Sequence, residues 1–280
     1  MTKENSKVWF ITGASSGFGK AFAQYAVSQG YNVVATARRQ EKLEQLAKAA
    51  PEQILPISMD VTERAEIKNA VQKAIEKYGK IDVLINNAGY GIVGALEETP
   101  EKELRSQMET NFFGAVAVTQ VVLPYLRKQK SGAIVNISSM GGNMSFGGFS
   151  AYSASKFALE GASEALAQEV APFGIKTMIV EPGAFRTDFA GDGFRHMPKI
   201  EAYNEIVGGT RDFAKEMDGT QEGDPLKAAK AIDIALQSDK TPLRLQLGED
   251  AISAVKEHAE VLIKELEEWR ETGENTRFEK

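Results

Sequence analysis

At 280 residues, with 42% hydrophobic and 26% charged side chains, the chain has room for one large domain or two small ones and a sizeable core. It has no Cys, which removes thiolate nucleophiles, disulfides, iron–sulfur clusters and Cys-based zinc sites together. Its only two His, His196 and His258, are too few for a His-rich metal site and leave few candidates for a Ser-His-Asp triad. A net charge of −6 argues against a nucleic-acid-binding surface as the main business.

After MTKENSK only four apolar residues, Val8 to Ile11, precede Thr12-Gly13. That is too short for a signal peptide, and no later apolar run approaches a membrane span. A soluble, cytoplasmic protein is expected. In chain order, six β-rich runs (VWFITG, YNVVATA, ILPISMDV, IDVLINNAG, GAIVNISS and IKTMIVEPG) alternate with helical stretches. Phe18–Ser28 is followed by Gly30, and Gln40–Ala50 is ended by Pro51. In Glu66–Tyr78, Ile67, Ala70, Val71, Ala74, Ile75 and Tyr78 repeat at helical spacing, with Gly79 as the stop. Nearly continuous apolar strands between helices predict an α/β fold: one doubly wound parallel sheet of six or seven strands, covered by helices on both faces. No repeat or linker divides the chain, so residues 1–280 read as a single domain.

Residues 188–224 are Gly-rich and read as irregular, a long loop of the kind that serves as a substrate lid, or else a surface insertion. Residues 250–271 predict an amphipathic C-terminal helix. Its stripe of Ile252, Val255, Ala259, Leu262, Leu266 and Trp269 is expected to be buried against the domain or a partner subunit. Thr272–Lys280 reads as a frayed tail.

The first strand runs into Gly13-Ala14-Ser15-Ser16-Gly17-Phe18-Gly19 and then a helix. Glycines there let the backbone turn tightly and approach a pyrophosphate, whose charge sits at the helix N-terminus. The spacing is not that of a P-loop, because Ala21 stands where Ser or Thr would follow Lys20. The second strand ends Ala37-Arg38-Arg39. An acid there would meet a 2′-hydroxyl; two guanidinium groups and no acid suit a 2′-phosphate and favour NADP(H) over NAD(H). Tyr152 and Lys156 share one helix face at i and i+4. A nearby ammonium favours the phenolate and is expected to lower the tyrosine pKa, making it a usable acid/base.

TGASSGFG at 12–19, NNAG at 86–89, Asn111 in ETNFFG, NISSMGG at 136–142, YSASK at 152–156 and PGAFRT at 182–187 occur in this order. Over residues 7–248 the set resembles the short-chain dehydrogenase/reductase family, and SKFALEG with the C-terminal extension is similar to its hydroxysteroid- and retinol-dehydrogenase-like branch. The resemblance implies a Rossmann fold and four catalytic residues. Tyr152 would be the general acid/base, and Lys156 would lower its pKa and hold the nicotinamide ribose. Ser139 would orient the substrate carbonyl, with Ser138 turned to the other face by strand alternation. Asn111 would hold a water in the proton relay. It also implies cofactor contacts at Asp60 and Val61, at Asn87, Ala88 and Gly89, and at Pro182, Gly183, Phe185 and Thr187. Ser16 stands where some NADP-preferring relatives carry a basic residue, which leaves phosphate recognition to Arg38 and Arg39.

The expected activity is metal-free and NADP-dependent, interconverting a small apolar carbonyl compound and its secondary alcohol. Tyr90, Met144, Phe146, Phe149, Phe189, Phe194 and Met197 border the expected pocket or belong to the core. A nucleotide sensor without turnover and a 3-oxoacyl thioester reductase are the rival readings. The helices around 101–126 and 152–171 carry apolar residues on more than one face, as helices buried by a second subunit do. With the family's habit of pairing through them, this predicts a homodimer or homotetramer.

Overall fold

The structure, a computed structural model, describes residues 6–191 and 193–278. Its first half lays down β1 (Val8–Thr12), α1 (Gly17–Ser28), β2 (Asn32–Ala37), α2 (Gln40–Lys48), β3 (Ile54–Ser58), α3 (Arg64–Tyr78) and β4 (Val83–Asn86). A short β5 (Gly91–Val93) leads into α4 (Glu101–Met108) and α5 (Ala115–Gln129), and then come β6 (Gly132–Ile137) and α6 (Ser150–Val170). The rest is β7 (Ile175–Pro182), β8 (Phe194–His196), α7 (Asn204–Glu216), α8 (Pro225–Gln237), β9 (Arg244–Leu247), α9 (Glu249–Glu268) and α10 (Arg270–Glu274).

Seven strands form one sheet in the order β3-β2-β1-β4-β6-β7-β9, and every pairing in it is parallel. Strand alternation divides the core in two. Trp9, Ile11, Val33 and Ile85 face one side, where Phe22 of α1, Leu43 of α2 and Ile232 of α8 cover them. Val8, Phe10, Val34 and Leu84 face the other, under Ile67 and Val71 of α3 and Val118 and Val122 of α5. Both faces of every central strand are therefore dry, which is why those strands read as unbroken apolar runs. Absent from the sequence reading are β5 and β8, which pair in a separate two-stranded sheet, and, in the main sheet, β9, RLQL, an edge strand whose first three residues are only half buried. Its two polar side chains hide it from an apolar-run criterion.

Three other regions differ from expectation. The helix expected to run through 101–126 widens into a π turn at Glu109–Gly114, which carries Asn111; π turns of this kind recur at functional sites. Segment 188–224 contains β8 and α7 where irregular chain was expected. Gly208 and Gly209 inside α7 masked a helical repeat, Val207, Arg211, Ala214, that is buried in the fold. The C-terminal stripe is not buried against the domain: α9 buries only Ala251, and Leu266 and Trp269 are 63% and 65% exposed. The helix keeps Val255 and His258 half-buried and is exposed from Ala259 on, so the later part of the stripe lies beyond reach of the chain's own core. The tail reading falls partly on Glu279 and Lys280, outside the described residues.

Candidate active site

Strand order reverses between β1 and β4, and in open α/β sheets ligands bind in the crevice beyond such a point. Here that crevice is a cavity of about 730 Å³, within the range of small-molecule and cofactor sites.

At one end lies the glycine loop. Gly13 has φ +67°, and a Cβ on it would sit 2.9 Å from Ala88 Cα. A Cβ on Gly19 would sit 2.3 Å from the Gly13 carbonyl oxygen, so both glycines are required for the loop to fold back on β4. Asn87 stitches the two together: its Nδ2 donates to Thr12 O at 2.9 Å and Gly13 O at 3.3 Å. Gly13, Ser15, Ser16 and Phe18 line the cavity, and so do Asn87, Ala88 and Gly89; Gly17 and Gly19 do not. Gly19 shapes the loop from behind, and Gly17, at φ +51°, faces Thr187.

Arg38, Arg39, Asp60 and Val61 line the same end. Arg39 Nη2 donates to Ser15 Oγ at 3.2 Å and Ser16 Oγ at 3.0 Å, so its guanidinium is drawn onto the loop. Arg38 is 76% exposed and lies 4.0 Å from Asp60 Oδ2. The strand end thus presents two cations to whatever the loop cradles, and Ala37 contributes no acid.

At the other end Ser139, Tyr152 and Lys156 meet. Ser139 leaves β6 at the N-cap of a short 3-10 turn, its Oγ accepting from Gly141 N at 3.0 Å. Tyr152, in the first turn of α6, is buried, and burial pushes its phenol up to about 12 against the opposing pull of a hydrogen bond with Ser139. Lys156 Nζ donates to Ile137 O at 2.8 Å and lies 5.8 Å from the centre of the Tyr152 ring. Burial brings Lys156 down to about 8, and Glu160 opposes that fall. The expected lowering of the tyrosine by its lysine is not found here: desolvation of the phenol dominates, and what opposes it is the bond with Ser139. Ser138 also borders the cavity, but its hydroxyl is committed to Glu160, to which it donates at 2.5 Å.

Asn111 does not line the cavity. Its Oδ1 accepts from Tyr90 N at 3.1 Å, and its Nδ2 donates to Tyr90 O and Ser155 Oγ, each at 2.9 Å. The π turn thus pins the β4–β5 connection to α6 from one layer behind Tyr152.

Pro182, Gly183, Phe185 and Thr187 form a shelf beside these residues. Asp250 holds it, accepting from Ala184 N at 2.7 Å. Nothing in the sequence reading pointed to Asp250, because the apolar periodicity of α9 drew attention away from its first turn. Phe189 and Phe149 flank Tyr152, with ring centres 6.0 and 6.2 Å away. Tyr90, Phe146 and Phe194 line the cavity with them, whereas Met144 and Met197 do not. From α7 and the turn after it come Phe213, Met217 and Gln221; both polar side-chain atoms of buried Gln221 lack a partner. The donor set fits a dinucleotide: a glycine loop at a helix N-terminus, an arginine pair, and an apolar shelf leading to an acid/base group. Among the described residues no helix is long and apolar enough to cross a membrane.

Residues 7–197 match the short chain dehydrogenase family model. Oxidoreductase BOA17 of Botryotinia fuckeliana is 42% identical over 267 residues, covering 95% of this chain and 97% of that one. A 3-ketodihydrosphingosine reductase of Bacteroides thetaiotaomicron is 47% identical over 199 residues, 71% of each chain. The crystal structure of a short-chain dehydrogenase from Streptomyces avermitilis superposes with a TM-score of 0.93 at 50% identity, covering 98% of this chain and all of that one. An alcohol dehydrogenase from Thermococcus sibiricus, complexed with 5-hydroxy-NADP, does so with a TM-score of 0.71 at 25% identity, covering 87% and 95%. The chain belongs to the short-chain dehydrogenase/reductase family of nicotinamide-dependent oxidoreductases.

Proposed function

We propose that the protein is an NADP-dependent carbonyl reductase and alcohol dehydrogenase acting on small apolar ketones and their secondary alcohols. One observation carries this reading: a single cavity has two arginines and no acid where β2 ends, with Asp60 set loosely beside Arg38, and Ser139, Tyr152 and Lys156 at the other end. The aromatic wall of Phe149, Phe189 and Phe194 supports an apolar substrate. Single-turnover oxidation of NADPH with a panel of apolar ketones tests it; binding of NADPH with no turnover on any of them overturns it in favour of a sensor.

The nicotinamide cofactor supplies or takes up the hydride. Tyr152, whose phenol keeps its proton at neutral pH, donates that proton to the carbonyl oxygen in reduction and recovers it in oxidation. The Ser139 hydroxyl orients the carbonyl, and the Lys156 ammonium stabilises the phenolate that Tyr152 becomes. Arg38, with Arg39 beside it on the loop through Ser15 and Ser16, would hold the 2′-phosphate. Asn111 keeps the Tyr90 segment and α6 in register through its three hydrogen bonds.

Lys156 is assigned two jobs, so Lys156→Ala is expected to lower kcat and to weaken NADPH together. A Kd for NADPH equal to that of the wild type removes its role in holding the cofactor. The protein is a homodimer or homotetramer in this reading, a state supported by the apolar stripe of α9 that the chain itself leaves uncovered. Light scattering at micromolar concentration is expected to give a multiple of 30.5 kDa, and a monomer mass overturns it.

A further inference from the structure

Helix α6 repeats a polar residue every fourth position: Tyr152, Lys156, Glu160, Glu164. The first two face the cavity. Glu160, one turn deeper, is buried and has no part in the chemistry above.

Its surroundings are built around its charge. Glu160 Oε1 accepts from Ser138 Oγ at 2.5 Å, and Oε2 takes Arg244 Nη2 at 2.9 Å. The same guanidinium reaches Glu181 Oε1 at 3.0 Å and Glu164 Oε1 at 2.8 Å, and Gln246 donates to Glu181 Oε2 at 2.9 Å. A Cβ on Gly142 would lie 2.2 Å from Glu160 Oε1 and 2.3 Å from Ser138 Oγ, so the turn after Ser139 is closed directly onto this pair.

The charges here can be added. α6 contributes Lys156 and Glu160, β7 contributes Glu181 and β9 contributes Arg244, with the Glu164 carboxylate half exposed at the rim. The Tyr152 phenol, the Ser138 hydroxyl and the Asn111 amide are the neutral polar groups around them. Two buried carboxylates thus stand against two cations. Arg244 has three carboxylates, but among the described residues Lys156 has no ion pair of its own: the hydrogen bond it donates goes to a backbone carbonyl. An isolated buried ammonium sheds its proton unless an opposite charge is near.

We propose that Glu160 is a positioning residue whose buried carboxylate is the counter-charge that keeps Lys156 in its ammonium form while its bond to Ser138 ties the β6 end to α6. Burial pushes Lys156 down to about 8, and the Glu160 charge opposes that fall; burial pushes Glu160 itself up to about 7, against its bonds with Ser138 and Arg244. The consequence for turnover rests on the function proposed above; the charge balance itself does not.

Competitive labelling with acetic anhydride, read on the Lys156 peptide by mass spectrometry, follows the free amine against pH with no cofactor or substrate. In Glu160→Gln the onset of labelling is expected to move to lower pH by about half a unit or more. Glu160→Asp, which keeps the charge, and Ser138→Ala, which keeps the carboxylate, are expected to label as the wild type does. The kcat for NADPH-dependent ketone reduction is expected to fall at correspondingly lower pH in Glu160→Gln alone. An unmoved labelling curve in Glu160→Gln overturns the proposal. A moved curve in a protein without turnover upholds it and sinks the functional reading. If Glu160→Gln does not fold, Lys156→Met/Glu160→Gln, which removes both charges, is expected to fold and to melt higher; a double variant no more stable than the single overturns the proposal.

Discussion

Tyr152→Phe is expected to leave the fold and NADPH binding intact and to lower kcat by about 10²–10⁴-fold, the usual contribution of a positioned proton donor. The substitution removes one oxygen and nothing else. The ring stays packed between Phe149 and Phe189, and the hydrogen bond with Ser139 that is lost is worth about 1 kcal/mol of stability. The size of the effect follows from where the phenol sits. Burial raises its pKa to about 12, so at neutral pH the group is protonated and ready to donate. The phenylalanine variant has no phenolic proton to give, and the adjacent Ser139 hydroxyl, a far weaker acid than a phenol, does not replace it. The measurement is the decay of NADPH absorbance with a ketone that the wild type reduces. A kcat near that of the wild type removes Tyr152 from the proton path.

What was legible in the sequence follows the range of the physics involved. The central strands could be read because a doubly covered parallel strand is apolar at nearly every position, and α3 because its stripe ends at a glycine. The Tyr152–Lys156 pair could be read because one helix turn places it by local geometry, whereas Ser139 came from the resemblance of its motif to that of the family. Arg38 and Arg39 follow from the same kind of reasoning.

What escaped depends on contacts distant in the chain. Asp250 reaches the shelf across 66 residues, and the Arg244–Glu160 pair joins residues 84 apart; no local period announces either. Met217 and Gln221 enter the cavity only because α7 folds back, anchored by the buried Arg211–Glu98 pair, and two glycines disguised that helix. The stripe of α9 was seen correctly as amphipathic, but amphipathicity says that a face wants cover and not what covers it. For the tyrosine, pairwise reasoning favoured a lowered pKa, and burial, which spacing cannot report, has the larger effect.

Arg38→Ala is expected to weaken NADPH by about 10- to 150-fold while leaving NADH nearly unchanged. A 2′-phosphate brings close to two negative charges and several acceptor oxygens, and hydrogen bonds to charged groups contribute about 1.5–3 kcal/mol net. At about 1.4 kcal/mol per tenfold, that gives the stated range. NADH has no group there for the guanidinium to hold, so it is the internal control. The geometry divides the work between the two arginines. Arg39 is already committed to Ser15 and Ser16 and braces the loop, whereas Arg38 is mostly exposed and only loosely set beside Asp60, which leaves its donors free for a ligand. Ala37→Asp added to Arg38→Ala is expected to go further and invert the preference, because a carboxylate at the strand end bonds the free ribose hydroxyls of NADH and repels the phosphate of NADPH. Taking the ratio of the two dissociation constants cancels any general damage to the site. Equal binding of NADH and NADPH by the wild type, or equal weakening of both by Arg38→Ala, makes Arg38 a surface arginine and removes the basis for NADP preference.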